Sequence, residues 1–232
     1  MTYVMSDLHG RYEHYRKMLE SIDFSEEDEL YVLGDVVDRG PEPIKLLTDM
    51  SMRPNVYPIL GNHDYTAACF LRLLSAEITE ENAETHLKAE ELSALAGWLC
   101  DGGDTTLEGF RRLTVSEREG ILEYLEEFAP YEELTVGGRR FVLVHGGLPD
   151  FDPARPLRDY DPRALVVEHT DYTRRYYPDR YLVTGHVPTG LIDPRSVGRI
   201  LRVNGHIAMD CGNGWGGALG CLRLEDMAEF YV

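Results

Sequence analysis

Three short apolar runs, each handing over to a polar cluster, limit what this chain can fold into more than any other feature. The runs are residues 2–5, 30–33 and 56–60. Leu30-Tyr31-Val32-Leu33 shows no apolar/polar alternation, so it is expected to be covered on both faces, as strands of a parallel sheet are. Between the first two runs, Tyr12, Tyr15, Met18, Leu19 and Ile22 recur at helical spacing, and Pro41 is expected to open a second helix. Strand, helix, strand, helix, strand in that order predicts an α/β core with parallel strands.

Residues 65–129 differ in texture and read as a helical insertion beside the sheet. Leu71, Leu74 and Ile78 repeat at helical spacing, as do Leu92, Leu95 and Leu99. Ser116 with Glu119 fits a capping box ahead of Ile121, Leu122 and Leu125. From residue 131 the chain becomes β-rich. Residues 134–136 and 141–144 flank the turn Gly137-Gly138, and residues 200–203 and 207–209 flank Asn204-Gly205, so two hairpins are expected. Residues 181–184, 218–224 and 230–232 read as further strands. Nothing marks a linker, and the expectation is a single domain over 1–232.

Polar residues concentrate where the buried strands end. Asp7 and His9 follow the first strand; Asp35, Asp38 and Arg39 follow the second; Asn62-His63-Asp64 follow the third. His145-Gly146-Gly147 and Gly185-His186 follow two later strands. In α/β sheets, ligands bind beyond the carboxyl ends of strands, so these ends would deliver acid, amide and imidazole groups to one rim. Oxygen and nitrogen donors of this kind suit Mn, Fe or Zn. Two metals about 3.5–4 Å apart need a carboxylate that touches both, and Asp35 is the candidate bridge. A lone Asp-x-His is common in turns, because aspartate hydrogen-bonds its own backbone there. Five strand ends carrying the same chemical alphabet are not common.

Charge narrows the partners. Lys plus Arg total 23 against 41 Asp plus Glu, a net charge of -18, which argues against a nucleic-acid footprint and allows some carboxylates to hold cations. The four cysteines make no C-x-x-C pair and read as reduced core thiols. No apolar stretch approaches a membrane span and no signal peptide is visible, so no membrane partner and a cytoplasmic location are expected.

At these residues the chain resembles the PPP-type serine/threonine protein phosphatases of the calcineurin-like metallophosphoesterase superfamily, and the bacterial and phage members most. Gly34-Asp35-Val36-Val37-Asp38-Arg39-Gly40 matches G-D-x-V-D-R-G in full. Ser6-Asp7-Leu8-His9-Gly10 is similar to G-D-x-H-G, and Gly61-Asn62-His63-Asp64 to G-N-H-E, with Ser6 and the shorter acid Asp64 as departures. His145-Gly146-Gly147 and Gly185-His186 match the later histidine motifs in order.

The resemblance implies a β-sandwich of mixed sheets flanked by helices, holding two divalent metal ions, Mn2+ first, with Fe or Zn as alternatives. It implies that Asp7, His9 and Asp35 hold one metal and Asp35, Asn62, His145 and His186 the other. It implies direct attack of a metal-bridging hydroxide, His63 as general acid oriented by Asp38, and Arg39 with Asn62 on the phosphate oxygens. A second phosphate-binding arginine is expected among Arg163, Arg174 and Arg175, with His169 near its place.

The function expected first is a phosphatase of phosphoproteins; the alternative is hydrolysis of dinucleoside polyphosphates or nucleotides, a small phosphate-ester substrate. A metal-binding interaction protein without turnover would need neither the acid His63 nor the clamp Arg39. Two other stretches invite a role. Residues 210–217 read as a glycine-rich hairpin connection, or as a loop on the metal rim that offers Trp215 to substrate. Residues 98–103 read first as the end of a core helix, with a stretch bordering the cleft as the alternative.

Overall fold

The computed structural model describes residues 1–76 and 88–232, and Ile78 lies outside them. Two five-stranded sheets face each other, with helices on the outer faces. The first sheet has the order β10-β9-β1-β2-β3, from β1 (Thr2–Met5), β2 (Glu29–Leu33), β3 (Val56–Ile59), β9 (Gly220–Arg223) and β10 (Ala228–Tyr231). The second has the order β4-β5-β6-β8-β7, from β4 (Glu132–Val136), β5 (Arg139–Leu143), β6 (Tyr181–Thr184), β7 (Leu201–Val203) and β8 (His206–Ala208).

β1, β2 and β3 run parallel, in the register Val4 to Tyr31 and Leu33 to Ile59. β9 then pairs antiparallel with β1, so the sheet is mixed. Pro58, which cannot donate to a ladder, sits on the edge strand β3, where its missing N–H costs nothing. β5, β6 and β8 are the parallel centre of the second sheet. Both expected hairpin turns are present, with positive φ at Gly137 and Gly138 and at Asn204 and Gly205.

Strand alternation splits the core into layers. Val4, Tyr31, Leu33 and Ile59 meet Phe141, Leu143, Val183 and Ile207 between the sheets. Tyr3, Met5, Leu30 and Val32 point the other way, into the helices. These are α1 (Tyr12–Ser21), α2 (Pro43–Ser51), α3 (Asn62–Ser75), α4 (Ala89–Trp98), α5 (Asp104–Arg111) and α6 (Val115–Glu126). Two shorter helices, α7 (Pro162–Val167) and α8 (Thr189–Ile192), lie in the second half of the chain. Outside the second sheet, Val142, Val144 and Leu182 pack on Leu157, Tyr160, Leu165 and Tyr176.

Several local expectations shift. Pro43 opens α2, not Pro41, because Glu42 N–H donates back to Gly10 O and holds residues 41–42 outside the helix. The capping box at α6 is Thr114 with Glu117, not Ser116 with Glu119. That earlier start lets Arg118 reach the last carbonyls of α5, those of Phe110 and Arg111. The helical segment begins at Asn62, inside the third motif, and its residues Ala67, Leu71, Phe110, Leu122 and Leu125 share a core with β1 and β2. Cys211 and Cys221 are buried thiols as expected, but Cys69 and Cys100 are exposed. No helix among the described residues is long and apolar enough to cross a membrane.

Candidate metal centre and phosphate site

The carboxyl ends of β1, β2, β3, β5 and β6 open on one rim, which carries Asp7, His9, Asp35, Asp38, Arg39, Asn62, His63, His145 and His186. The backbone there is unusual. Ten non-glycine residues among those described have positive φ, and six of them are Asp7, His9, Asp35, Asp38, Arg39 and His186. A left-handed residue of this kind costs on the order of 1–3 kcal/mol, and such strain concentrates at sites where a ligand dictates the geometry.

Two groups of donors form. His9, Asp35 and His63 lie together, as do Asp35, His145 and His186, in each case with ligand atoms within 4.8 Å of one another. Asp35 belongs to both groups, the place expected of a bridge. Asn62 joins the second, its Oδ1 lying 3.0 Å from His145 Nε2 and 2.9 Å from His186 Nδ1. Asp7 stands in neither. Its carboxylate accepts from the Ser6 hydroxyl and from His186 N–H at 3.2 Å, on the β1–β6 side of the rim.

The donor set fits cations. His145 Nδ1 donates to Leu33 O at 2.6 Å, and Nε2 faces Asn62 Oδ1 and Asp35 Oδ1, 3.3 Å away; burial lowers the His145 pKa, but the Asp35 and Asp7 carboxylates outweigh it and push it up to about 10. His9 repeats the device, with Nδ1 on Val37 O at 3.1 Å and Nε2 turned to Asp35. In a dry site these oxygen and nitrogen atoms need positive charge among them, which a proton on His145 and the Arg39 guanidinium supply and which a divalent cation can supply in their place. Asp7, Asp35, Asp64 and Asp210 are all at least 96% buried, being 1%, 3%, 0% and 4% exposed. Burial, then the charge of Asp210, pushes the Asp7 carboxyl well above its usual range. Burial would raise Asp35 too, but His145, His63 and His9 around it hold it well below. Burial keeps the His9 and His186 imidazoles neutral, at about 3 and about 4, as metal-ligating histidines must be.

Asp64 explains how the shorter acid works in this chain. Its Oδ1 accepts from Val36 N–H (2.9 Å) and Val37 N–H (3.2 Å), and its Oδ2 from Gly61 N–H (3.1 Å). It ties the β2 loop to the start of α3 and so fixes Asp35 against Asn62.

His63, Asp38 and Arg39 form the second part. His63 Nδ1 donates to Asp38 Oδ2 at 2.8 Å. Burial lowers the His63 pKa, but the Asp38 hydrogen bond and the charges of Asp35 and Asp38 outweigh it, and the pKa is raised. Arg39 spans the mouth, with Nη1 on His9 Nε2 and Nη2 on His63 Nε2, both at 2.9 Å. Residues 98–103 border this site directly, not only as a helix end. Trp98 Nε1 donates to Asp38 Oδ2 (2.8 Å), Thr106 Oγ1 to Asp38 Oδ1 (2.6 Å), and Arg39 N–H to Gly102 O (2.9 Å). Asp101 pairs with Arg39 Nη2 at 3.1 Å.

Residues 210–217 also lie on the rim. Asn213 Nδ2 donates to Asp7 O (3.0 Å) and Leu8 O (2.9 Å), and Trp215 lies against Arg39, whose Cζ is 4.2 Å from the ring centroid. Of the expected second arginines, Arg175 is bound to Tyr177 O and Pro178 O, and Arg174 pairs with Asp171 and lies over Tyr176. Arg163 lies over Tyr65, one helical turn from Asn62, and His169 packs edge-on to His186 at 5.1 Å. Sequence reasoning missed Thr106 altogether; Asp101, Asp210 and Asn213 lie in the two stretches it singled out, but it gave none of them a role of its own.

The chain is similar to known proteins over most of its length. The chain is 28% identical to a protein of Nitrosomonas europaea named symmetrical bis(5'-nucleosyl)-tetraphosphatase, over 100% of this chain and 97% of that one. It is 25% identical to a protein of the same name from a Shewanella species, over 90% of this chain and 71% of the relative. A solved structure described as a candidate diadenosine tetraphosphatase superposes with a TM-score of 0.65 at 16% identity, covering 100% and 92% of the two chains. A protein serine/threonine phosphatase from Saccharomyces cerevisiae does so at 0.55 and 13%, covering 100% and 78%. At those identities the two structures speak to the fold alone. The model of the calcineurin-like phosphoesterases matches residues 2–212, nearly the whole of the rim just described, and the chain belongs to that family.

Proposed function

We propose that this chain is a metal-dependent hydrolase of dinucleoside tetraphosphates, cutting the middle of the phosphate chain. The observation that carries the chemistry is Asp35 shared by two groups of oxygen and nitrogen donors that converge on both sides of it. The substrate class is supported by the relatives, which are named symmetrical tetraphosphatases over nearly the full chain. Symmetric cleavage of four phosphates leaves two on each nucleoside. The phosphoprotein reading ranked first from sequence has support only from structures too distant to speak beyond the fold.

In this reading His9 and Asp35, with Asp7 able to join, hold one divalent cation. Asp35, Asn62, His145 and His186 hold the other. Mn2+ is the first choice, with Fe or Zn as alternatives. When bound, the ions supply Lewis acidity and lower the pKa of water from about 15.7 toward about 7. Arg39 binds the equatorial phosphate oxygens and neutralises the charge they gain. A phosphate that draws Arg39 away frees His63 Nε2, which then carries the proton for the leaving oxygen, while Asp38 holds the opposite nitrogen. Trp98 and Thr106 hold Asp38 in turn.

A substrate panel with metal analysis tests this. Diadenosine tetraphosphate, a phosphoserine peptide and an alkyl phosphate are supplied in the presence of manganese. Turnover of the dinucleotide to two nucleoside diphosphates, at the highest kcat/KM of the panel, is the expected result. A preference for the phosphopeptide would restore the protein-phosphatase reading.

A further inference from the structure

The most exposed aromatic ring on the rim is Trp215, at 68%. The chain holds that ring in place with buried polar bonds. Its turn, Asn213–Trp215, is flanked by Gly212 and Gly216, both left-handed at φ 85° and 86°. Asn213 is 1% exposed and closes three hydrogen bonds: Nδ2 to Asp7 O and Leu8 O, and Oδ1 to His14 Nδ1 at 2.7 Å. Gly214 lies so close to His9 that a Cβ there would come within 2.2 Å of the ring. The indole is therefore anchored next to the metal centre and still faces water. One face meets the Arg39 guanidinium, 4.2 Å from centroid to Cζ. At 68% exposure, the ring still has aromatic surface open to water.

We propose that Trp215 stacks the nucleobase of the nucleoside diphosphate half whose phosphate Arg39 holds, so that it selects nucleotide substrates over other phosphate esters. This rests on the tetraphosphatase reading and extends it. A phosphate on Arg39 and a flat ring along Trp215 are two ends of a single ligand, and guanidinium, indole and base then stack in sequence. Base–aromatic stacking is strong and tolerates any base, because every base has a π face. The site selects nucleosides as a class and discriminates little among bases.

The test exploits the two tryptophans of the chain, of which Trp98 is buried and Trp215 is exposed. ADP is titrated into the manganese-loaded enzyme and into Trp215→Leu and Trp215→Phe, with intrinsic fluorescence as readout and inorganic pyrophosphate as the base-free probe. ADP quenches the wild type, pyrophosphate does not, and Trp215→Leu loses the ADP quench. In parallel, the ratio of kcat/KM for diadenosine tetraphosphate to that for inorganic tripolyphosphate falls by about 5- to 150-fold in Trp215→Leu and recovers in Trp215→Phe. Equal loss on both substrates would show that Trp215 acts only by positioning Arg39, and would overturn the stack. ADP inhibition without quenching, or quenching that survives in Trp215→Leu, would overturn it as well. A quench that depends on Trp215, in an enzyme that leaves the dinucleotide intact, would uphold the stack and overturn the tetraphosphatase reading instead.

Discussion

Replacing Asp38 by Asn tests the proton-delivery apparatus with a side chain of the same shape. Asp38 is fully buried and accepts three side-chain hydrogen bonds: His63 Nδ1 and Trp98 Nε1 on Oδ2, and Thr106 Oγ1 on Oδ1. An asparagine can place its oxygen at the Oδ2 position and keep both nitrogen donors. Its amide then faces Thr106 Oγ1, which has two lone pairs and already accepts Asp38 N–H at 2.9 Å. The Thr106 hydroxyl loses the acceptor it has on Oδ1, which costs stability, while both nitrogen donors keep theirs; for His63 what disappears is the charge. The His63 bond changes from charge-assisted to neutral, a loss of roughly 1–1.5 kcal/mol, or about tenfold in the tendency of His63 to hold its proton.

The consequence depends on the leaving group. A terminal phosphate, with its second pKa near about 6, leaves at neutral pH without help, whereas an alkoxide needs the proton. Alkyl phosphate hydrolysis by Asp38→Asn is expected to drop by about 10- to 100-fold, within the roughly 10²–10⁴-fold that general acids supply. Diadenosine tetraphosphate hydrolysis is expected to drop less than about tenfold, by the same reasoning. The assay is kcat on both substrates at saturating manganese, with metal content measured on the same samples. An equal loss on both at unchanged metal content would refute the role given to His63 and Asp38.

Asp35→Asn removes the shared carboxylate, so bound metal should fall and activity should drop more than the 10–100-fold usual for an outer-shell change; full metal content with a wild-type rate would sink the bridge. Asp101 competes with substrate for Arg39, but its carboxylate is 53% exposed, so the pair is screened and worth at most about 1 kcal/mol. Asp101→Asn is expected to tighten inhibition by inorganic phosphate up to about fivefold, more at low salt, and weaker inhibition would contradict it. His206 gives a pH effect far from the metals. Burial lowers its pKa, partly offset by its bond to Arg174 O, and no described residue reaches its Nδ1. The unfolded chain takes up this proton near about pH 6.5 and the folded chain only below that, so stability is present at neutral pH and is lost on acidification. His206→Phe should therefore lose less Tm between pH 7.5 and pH 5.5 than the wild type does, and an equal or larger loss would contradict the assignment.

The parts of the site that were legible in sequence are those that local chemistry marks. Apolar runs ending in Gly34-Asp35 or Gly61-Asn62 announce a strand and its turn within a few residues, and the structure places those turns at one rim. The supporting residues carry no such mark. Trp98 and Thr106 reach Asp38 across 60 and 68 residues, and Asn213 reaches Asp7 across 206. A helix with Leu95 and Trp98 on its inner side looks like core from sequence, and Trp98 is core: it stacks on Phe70 at 5.5 Å while its N–H holds Asp38. The two roles coexist because indole has an apolar body and one polar tip. Asp210 was equally hidden, since an aspartate at the start of a glycine-rich loop reads as a turn former; only the fold shows it buried beside Asp7 and Asp35.

The strained backbone joins these two observations. Asp and His tolerate the left-handed region better than most residues, so a strand-end Asp or His is equally consistent with a turn and with a ligand. Arg39 has no such tolerance, yet it adopts φ 65° beside Asp38 at φ 69°. Its conformation is fixed from outside the motif, by Gly102 O on its N–H, Asp101 on Nη2 and the indole of Trp215 on its guanidinium. The helical segment and the glycine-rich loop thus hold the residue that the motif supplies. Substitutions at Gly102 or Trp215, which touch none of the metal-donor atoms of Asp35 or His145, should therefore act on phosphate binding ahead of metal content.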